Sequence, residues 1–472
     1  FRRVLFRSMK TKGIICRICC NALHYHNFSK NLNGLSPRRQ VVKVCILEDG
    51  IQNIYLFLNE KEIGIMKQLE GVRVVDLSTY IAAPSCGRIL ASYGAEVIKV
   101  ESPKGDDLRA AQVSYGYPAE TPEHSYGIDV QNANKKGLCL NLRTEEGKEA
   151  MLKLLETADV FLTNNRVQAL VKMGLDWDTL HAKFPRLIHA SILGYGEKGP
   201  LKDKPGFDYT AYFSRGGVAN SLMEKGTAPA VPVSGFGDDY AGIALSSGIC
   251  AALYRQAKTG EGERVTVSLL DAAAYGLNWM LGAKDYGSEL PASRTKTNSA
   301  VCTTYKTKDD RWVQLALIQY DNWFPKFAKE GLNAPELLED PRFSTYAAML
   351  ENIPELVAAI EPYMAQKTLD EWDEILTKLD LPFERVQTMA ELADDPQLWA
   401  NDSIFKKETP DGKNIYFIRT PIKFTLDPML KEEEGRGRTP RLGEDSTEIL
   451  KGLGYDDATI KDYLEKGIVV QK

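Results

Sequence analysis

From Val72 onward, short apolar runs alternate with longer stretches of helical periodicity, and no other feature limits the possible folds so sharply. Val72–Leu77 reads as a strand ending at Ser78-Thr79, and a helix is expected from about Pro84 to Tyr93. Glu96–Glu101 and Leu138–Leu142 read as the next strands, Thr144 as the N-cap of a helix over Glu145–Thr157, and Asp159–Thr163 and Leu187–Leu193 as further strands. Strands separated by helices of about 10–15 residues imply parallel βαβ units. The expected fold class is therefore α/β, with a doubly wound, Rossmann-like parallel sheet and a ligand at the carboxyl ends of its strands.

Near Ala300 the pattern changes. Thr303–Lys306 and Trp312–Leu317 flank Lys308-Asp309-Asp310, a hairpin signal, and amphipathic helices are expected near Asn322–Lys329, Ile353–Gln366 and Leu369–Leu379. These make a smaller α+β domain. Strand-like Ile415–Arg419 and Ile422–Thr425 follow, then a helix around Ser446–Leu453. The expected division is an extension over 1–65, a large domain over 66–285, the small domain over 286–405, and a C-terminal segment over 406–472 that returns to the large domain.

Residues 1–65 do not belong with the rest. They carry eleven Lys or Arg against four Asp or Glu, and four of the eight cysteines: Cys16, Cys19, Cys20 and Cys45. A basic targeting arm and a zinc half-site from Cys16, Cys19, His24 and His26 are open readings, although these spacings match no standard finger. The preferred expectation is a non-native or disordered extension, translated from upstream sequence, with the organised protein beginning at Met66-Lys67. A net charge of −5 argues against general affinity for nucleic acid or anionic lipid. No apolar run approaches the ~18 residues of a membrane span. Cys86, Cys139, Cys250 and Cys302 lie in apolar surroundings, as suits reduced thiols in a cytoplasmic protein.

Among single residues, Asp238 is the strongest candidate nucleophile. Gly237-Asp238 ends an apolar stretch and opens a small-residue segment, Asp239 to Ala257, that reads as a helix. A carboxylate at a helix start meets unpaired N–H groups and the positive end of the dipole, and is expected to stay ionised. An ordinary N-cap aspartate has the same local pattern. Gly194-Tyr-Gly196-Glu-Lys-Gly199 satisfies GxGxxG, but Pro200 and Pro205 follow where a dinucleotide fold requires a helix. A loop is expected there, so a nicotinamide cofactor is not supported. No P-loop, nucleophile elbow or HExxH motif occurs, His124, His181 and His189 stand isolated, and no metal site is expected.

Several separated motifs occur in a telling order. They are Leu69-Glu-Gly-Val-Arg-Val-Val-Asp76-Leu77, Gly94-Ala-Glu-Val-Ile-Lys99-Val-Glu101, Asn134-Lys135-Lys136-Gly-Leu-Cys-Leu-Asn141, Pro205-Gly206-Phe207-Asp208-Tyr-Thr-Ala, Gly237-Asp238, and Lys258-Thr-Gly-Glu-Gly-Glu-Arg264. With Asp395-Pro396-Gln397 and Pro440-Arg-Leu-Gly443-Glu444, this chain resembles the class III CoA-transferase family from Leu69 to about Val469. Ile81-Ala82-Ala83-Pro84 and Leu162-Thr163-Asn164 look closest to the subgroup moving CoA onto (R)-2-hydroxy acids, phenyllactate and 2-hydroxyisocaproate.

The resemblance implies that Asp238 attacks an acyl-CoA thioester, giving a mixed anhydride and then an aspartyl-CoA thioester. It implies no permanently bound cofactor; coenzyme A thioesters and carboxylic acids are the substrates. Gly237 would allow close approach of the reacting carbonyl, and Asp208 matches an acidic position that assists in some relatives. CoA contacts would fall on Ile81, Ala82, Leu140, Arg143, Asn164, Asn165, Arg166, Lys172, Gly206 and Phe207. Lys104 would replace an arginine that relatives carry after the strand ending at Glu101. The resemblance also implies an interlocked homodimer. The rival on the same fold, α-methylacyl-CoA racemase, needs a His-Asp pair where this chain has Phe207-Asp208, and phenylalanine carries no proton. A non-catalytic CoA-binding protein is the other alternative.

Overall fold

The computed structural model describes residues 41–43, 55–57, 67–109, 126–408, 414–425 and 437–472. Contacts divide the chain into two compact units at Ile65/Met66. In the first, β1 (Val41–Lys43) pairs antiparallel with β2 (Tyr55–Phe57). Cys16, Cys19, Cys20, Cys45, His24, His26 and most of the 1–65 segment lie outside the described residues.

The second unit is built on six parallel strands: β3 (Arg73–Leu77), β4 (Glu96–Glu101), β5 (Lys136–Leu140), β6 (Val160–Thr163), β7 (Ile188–Leu193) and β8 (Arg264–Ser268). Their spatial order is β5-β4-β3-β6-β7-β8. The chain starts in the middle, winds outward through β4 and β5, then crosses to β6 and winds the other way. The crevice beyond Leu77 and Thr163 is therefore the switch point where open α/β sheets bind ligands. Alternate strand residues feed opposite faces. Val74, Val97 and Leu162 pack with the helices Ala82–Ser92 and Phe236–Thr259, while Val75, Ile98 and Phe161 pack with the helix Glu145–Glu156. Thr144 caps that last helix by accepting the Gly147 N–H at 3.1 Å.

A separate antiparallel sheet joins β9 (Thr304–Lys306), β10 (Trp312–Leu315) and β11 (Phe383–Arg385), in the order β11-β10-β9. The turn between β9 and β10 places Asp310 at φ +59°, which Asp tolerates better than most residues. This part has its own core around Tyr305, Phe324, Phe327 and Trp372. Beyond it, β12 (Ile404–Glu408) and β13 (Asn414–Ile418) form a hairpin. The strand expected over Ile422–Thr425 does not form. β14 (Val469–Val470) pairs antiparallel with β5, and Asp445 accepts the Gly137 N–H at 2.7 Å, so the chain end completes the large sheet. No helix among the described residues is long and apolar enough to cross a membrane.

Candidate active site

Asp238 does not cap its helix. The helix begins at Phe236, three residues earlier than the small-residue pattern suggests, and Gly235 stands at the N-cap with φ +81°. Only glycine occupies that left-handed conformation without strain. Asp238 therefore lies inside the first turn, and its ionisation also departs from expectation. Burial pushes its proton affinity up to about 8, and the neighbouring Asp208 and Asp239 carboxylates add to the rise. Desolvation and like charge outweigh the helix dipole here, since a dipole contributes the equivalent of about half a charge.

Asp208 supplies the cap that Gly235 lacks. It opens an eight-residue turn, Asp208–Arg215, wound partly on i→i+5 hydrogen bonds such as Gly216 N–H to Ala211 C=O at 3.0 Å. Its buried Oδ2 accepts the Gly235 N–H at 2.9 Å. Its Oδ1 faces Gly237 without closing a hydrogen bond. Burial raises this carboxyl to about 6, and the N–H groups of Gly235 and Gly237 oppose the rise. Gly237 is fixed by packing: a Cβ there would lie 2.2 Å from the Tyr212 ring and 2.5 Å from Asp208 Oδ1. Asp239 turns the other way, accepting from Gln131 Nε2 at 3.3 Å and bonding the Ser85 side chain on the Ala82 helix.

The loop after β3 closes the other side. Tyr80 adopts φ +63°, its ring meeting the Phe207 ring edge-on at 6.3 Å. Ile81 is the N-cap of the Ala82–Ser92 helix, and its side chain lies 3.4 Å from where a Cβ on Gly235 would stand. Two helix starts therefore converge here. Gly242 brings the helices close, since a Cβ there would lie 3.0 Å from Ala82 O. Beneath them, fully buried Lys135 donates from Nζ to Asp76 Oδ2, Pro84 O and Asn132 Oδ1, each at 2.8 Å.

Of the expected site residues, Ile81, Ala82, Gly206, Phe207, Asp208, Gly237 and Asp238 come together at this corner. Gly206 packs against Gly194 so tightly that neither has room for a Cβ, which explains the first glycine of the GxGxxG match. Asn164 and Asn165 end β6 at the switch point. Asn164 brackets Thr79, accepting its N–H at 3.0 Å and donating to its C=O at 2.7 Å, while Asn165 donates to Leu77 O at 2.9 Å. Leu140 is buried in the core, so its side chain is closed to a ligand. Lys104, Arg143, Arg166 and Lys172 stand exposed on the loops and short helix around the strand ends. Next to the corner, a cavity of about 320 Å³ lies at the ends of β7 and β8, lined by Tyr195, Glu197, Lys198, Ser268 and Asp271 among others.

Sequence reasoning missed the buried charges, although Asp76, Lys99 and Lys135 stand in conspicuous motifs. The available signal was Lys99 itself, a cation inside a strand that must be buried on both faces.

A doubly wound sheet with carboxylates gathered on a helix start beyond its carboxyl edge places the chain among α/β proteins whose ligand sites lie at the topological switch point. The comparisons give the particular family. Residues 69–446 match the model of CoA-transferase family III, and the chain belongs to that family. It is 48% identical over 401 residues, 85% of this chain and 99% of the relative, to an (R)-2-hydroxy-4-methylpentanoate CoA-transferase of Clostridioides difficile. It is 43% identical, covering 85% of this chain and 97% of the relative, to a cinnamoyl-CoA:phenyllactate CoA-transferase of Clostridium sporogenes. A crystal structure of a CAIB/BAIF family protein from Brucella suis superposes with a TM-score of 0.70 at 31% identity, over 82% of this chain and 100% of that one.

Proposed function

We propose that this class III CoA-transferase moves CoA from an acyl-CoA donor to an (R)-2-hydroxy acid, with Asp238 as the nucleophile. One observation carries the assignment of the nucleophile. Asp238 is a desolvated carboxylate of raised proton affinity on the first turn of a helix, at the ligand edge of the sheet. A carboxylate of high basicity attacks well once ionised, and a desolvated site protects an anhydride from hydrolysis. The names of the relatives at 48% and 43% identity support the 2-hydroxy acid.

The Asp238 carboxylate adds to the thioester carbonyl, and the C–S bond breaks to give a mixed anhydride and CoA thiolate. The thiolate attacks the aspartyl carbonyl, releasing the first acid as its carboxylate and leaving aspartyl-CoA thioester. The acceptor carboxylate then displaces the thiolate, and the thiolate takes the new acyl group, which restores Asp238. CoA lies along the loops after β3 and β6, with the free N–H groups of the Ala82 helix start and the cations Lys104, Arg143, Arg166 and Lys172 facing its phosphates. Asp208 holds the turn on which the nucleophile stands.

The working unit is a homodimer in the cytoplasm. The helix Asn278–Ala283 buries none of its residues, leaving Trp279 86% exposed with Tyr275 and Tyr286 nearby also bare. An apolar surface of this kind needs a covering partner, and a second copy supplies it.

The test uses purified protein, the CoA thioester of 4-methylpentanoate or cinnamate as donor, and (R)-2-hydroxy-4-methylpentanoate or (R)-phenyllactate as acceptor. New thioesters are identified by mass. During turnover, hydroxylamine converts the aspartyl thioester to a hydroxamate. Label at position 238 is the expected result, and transfer with no label there overturns the assignment.

A further inference from the structure

The backbone from Leu77 to Tyr80 is pinned by side chains of three other segments. Leu77 O accepts from Thr163 Oγ1 at 2.8 Å and from Asn165 Nδ2. Ser78 O accepts from Lys99 Nζ at 3.0 Å, Asn164 brackets Thr79, and the Tyr80 N–H donates to Asp106 Oδ1 at 3.2 Å. Lys99 Nζ and Asp106 Oδ2 form an ion pair at 2.8 Å in which both side chains are fully buried. Asp106 is itself held, receiving the Leu108 N–H at 2.9 Å and donating its own N–H to Glu101 Oε2 at 2.8 Å. Arg109 forks onto the same Glu101 and reaches Pro440 O.

A fully buried ion pair seldom adds stability beyond what apolar residues would supply, so it stays unexplained by stability alone. A tyrosine at φ +63° is strained and persists only where its surroundings over-determine it. The two facts meet at one side chain, the Asp106 carboxylate, whose Oδ2 takes Lys99 and whose Oδ1 takes the Tyr80 N–H. We propose that Asp106, its buried charge balanced by Lys99, is a positioning residue, which holds Tyr80 in the left-handed conformation and thereby aims the Tyr80–Ala82 corner at CoA. Tyr80 orients Ile81 toward Gly235, and the first N–H groups of the Ala82 helix follow from that turn. A relaxed Tyr80 would rotate the corner away from both Phe207 and the Asp238 helix. The inference rests on reading this corner as part of the CoA site.

Two pairs of variants test it. Lys99→Met with Asp106→Leu fills the space without charge and removes the acceptor, whereas Lys99→Met with Asp106→Asn keeps an amide oxygen for the Tyr80 N–H. The first pair is expected to raise the acyl-CoA KM about tenfold, with kcat and the acid KM within about threefold of the parent. The second pair is expected to restore most of that loss. Tyr80→Val and Tyr80→Asn remove the ring equally, but only Asn accepts the left-handed conformation. The Val variant should show an acyl-CoA KM about tenfold above the Asn variant, with the ion pair intact. Equal KM values for Val and Asn overturn the proposal, even if the Lys99 variants fail to fold. Equal losses in the two Lys99 pairs overturn it as well. A parent protein that transfers CoA while these variants behave alike sinks only the positioning role; a parent that neither binds nor transfers CoA sinks the functional reading beneath it.

Discussion

Asp208 Oδ2 accepts the N–H of Gly235 at 2.9 Å, so a residue about thirty positions upstream performs the capping that the helix of Asp238 cannot do for itself. Burial is the larger cause of the raised proton affinity of Asp238, and the charge of this same carboxylate adds to it. One neighbour thus bears on both the geometry and the acidity of the proposed nucleophile, and the two roles separate experimentally.

Asp238→Asn is expected to abolish transfer, by at least about a thousandfold in kcat, while leaving CoA binding intact. It is also expected to stabilise the protein at alkaline pH. The folded-state pKa of Asp238 is raised from 3.8 to about 8, so the parent loses stability as pH rises through that window. Melting curves at pH 4 and pH 9 check the sign. The variant should match the parent at the lower pH and exceed it, by on the order of 2 kcal/mol, at the higher.

If Asp238 is the nucleophile as proposed, the rate of single-turnover acylation should rise with pH toward about 8 and then level, because a carboxyl group attacks only when ionised. Asp208→Asn removes a like charge, so the charged form of Asp238 becomes less costly and the acidic limb should move to lower pH. A limb that stays in place would show that Asp208 acts through geometry alone.

Gly237→Ala should be damaging in proportion to its packing. The added methyl meets the Tyr212 ring at 2.2 Å and Asp208 at 2.5 Å, inside any tolerable contact. A loss of about 1–3 kcal/mol in chemical denaturation is expected, together with a fall in kcat as the first turn shifts.

Lys135→Met leaves Asp76 as an uncompensated buried charge and is expected to cost about 3–5 kcal/mol. Replacing both, with Asp76→Leu added, should restore most of it. Denaturant midpoints of the single and double variants measure the difference directly.

Much of the scaffold was legible in the residues. The alternation of apolar runs and helical stretches defined five of the six parallel strands to within two residues at each end, because burial on both faces leaves a continuous apolar signature, whereas no strand was expected over Arg264–Ser268. Motif order singled out Asp208, Gly237 and Asp238, which the fold gathers at one corner. Helix starts were less legible. Gly235-Phe236 carries no capping side chain, so the pattern set the helix start at Asp239 and the true start waited on Asp208 from another segment.

Sequence alone determined most of the parallel sheet and the family, since these follow from periodicity and from residue order along the chain. Tertiary structure alone decided how Asp238 ionises, why Tyr80 is held in a left-handed turn, and which carboxylate faces Lys99. Those are properties of desolvation and of contacts between remote segments, and both scale with distances in space that spacing along a chain does not encode.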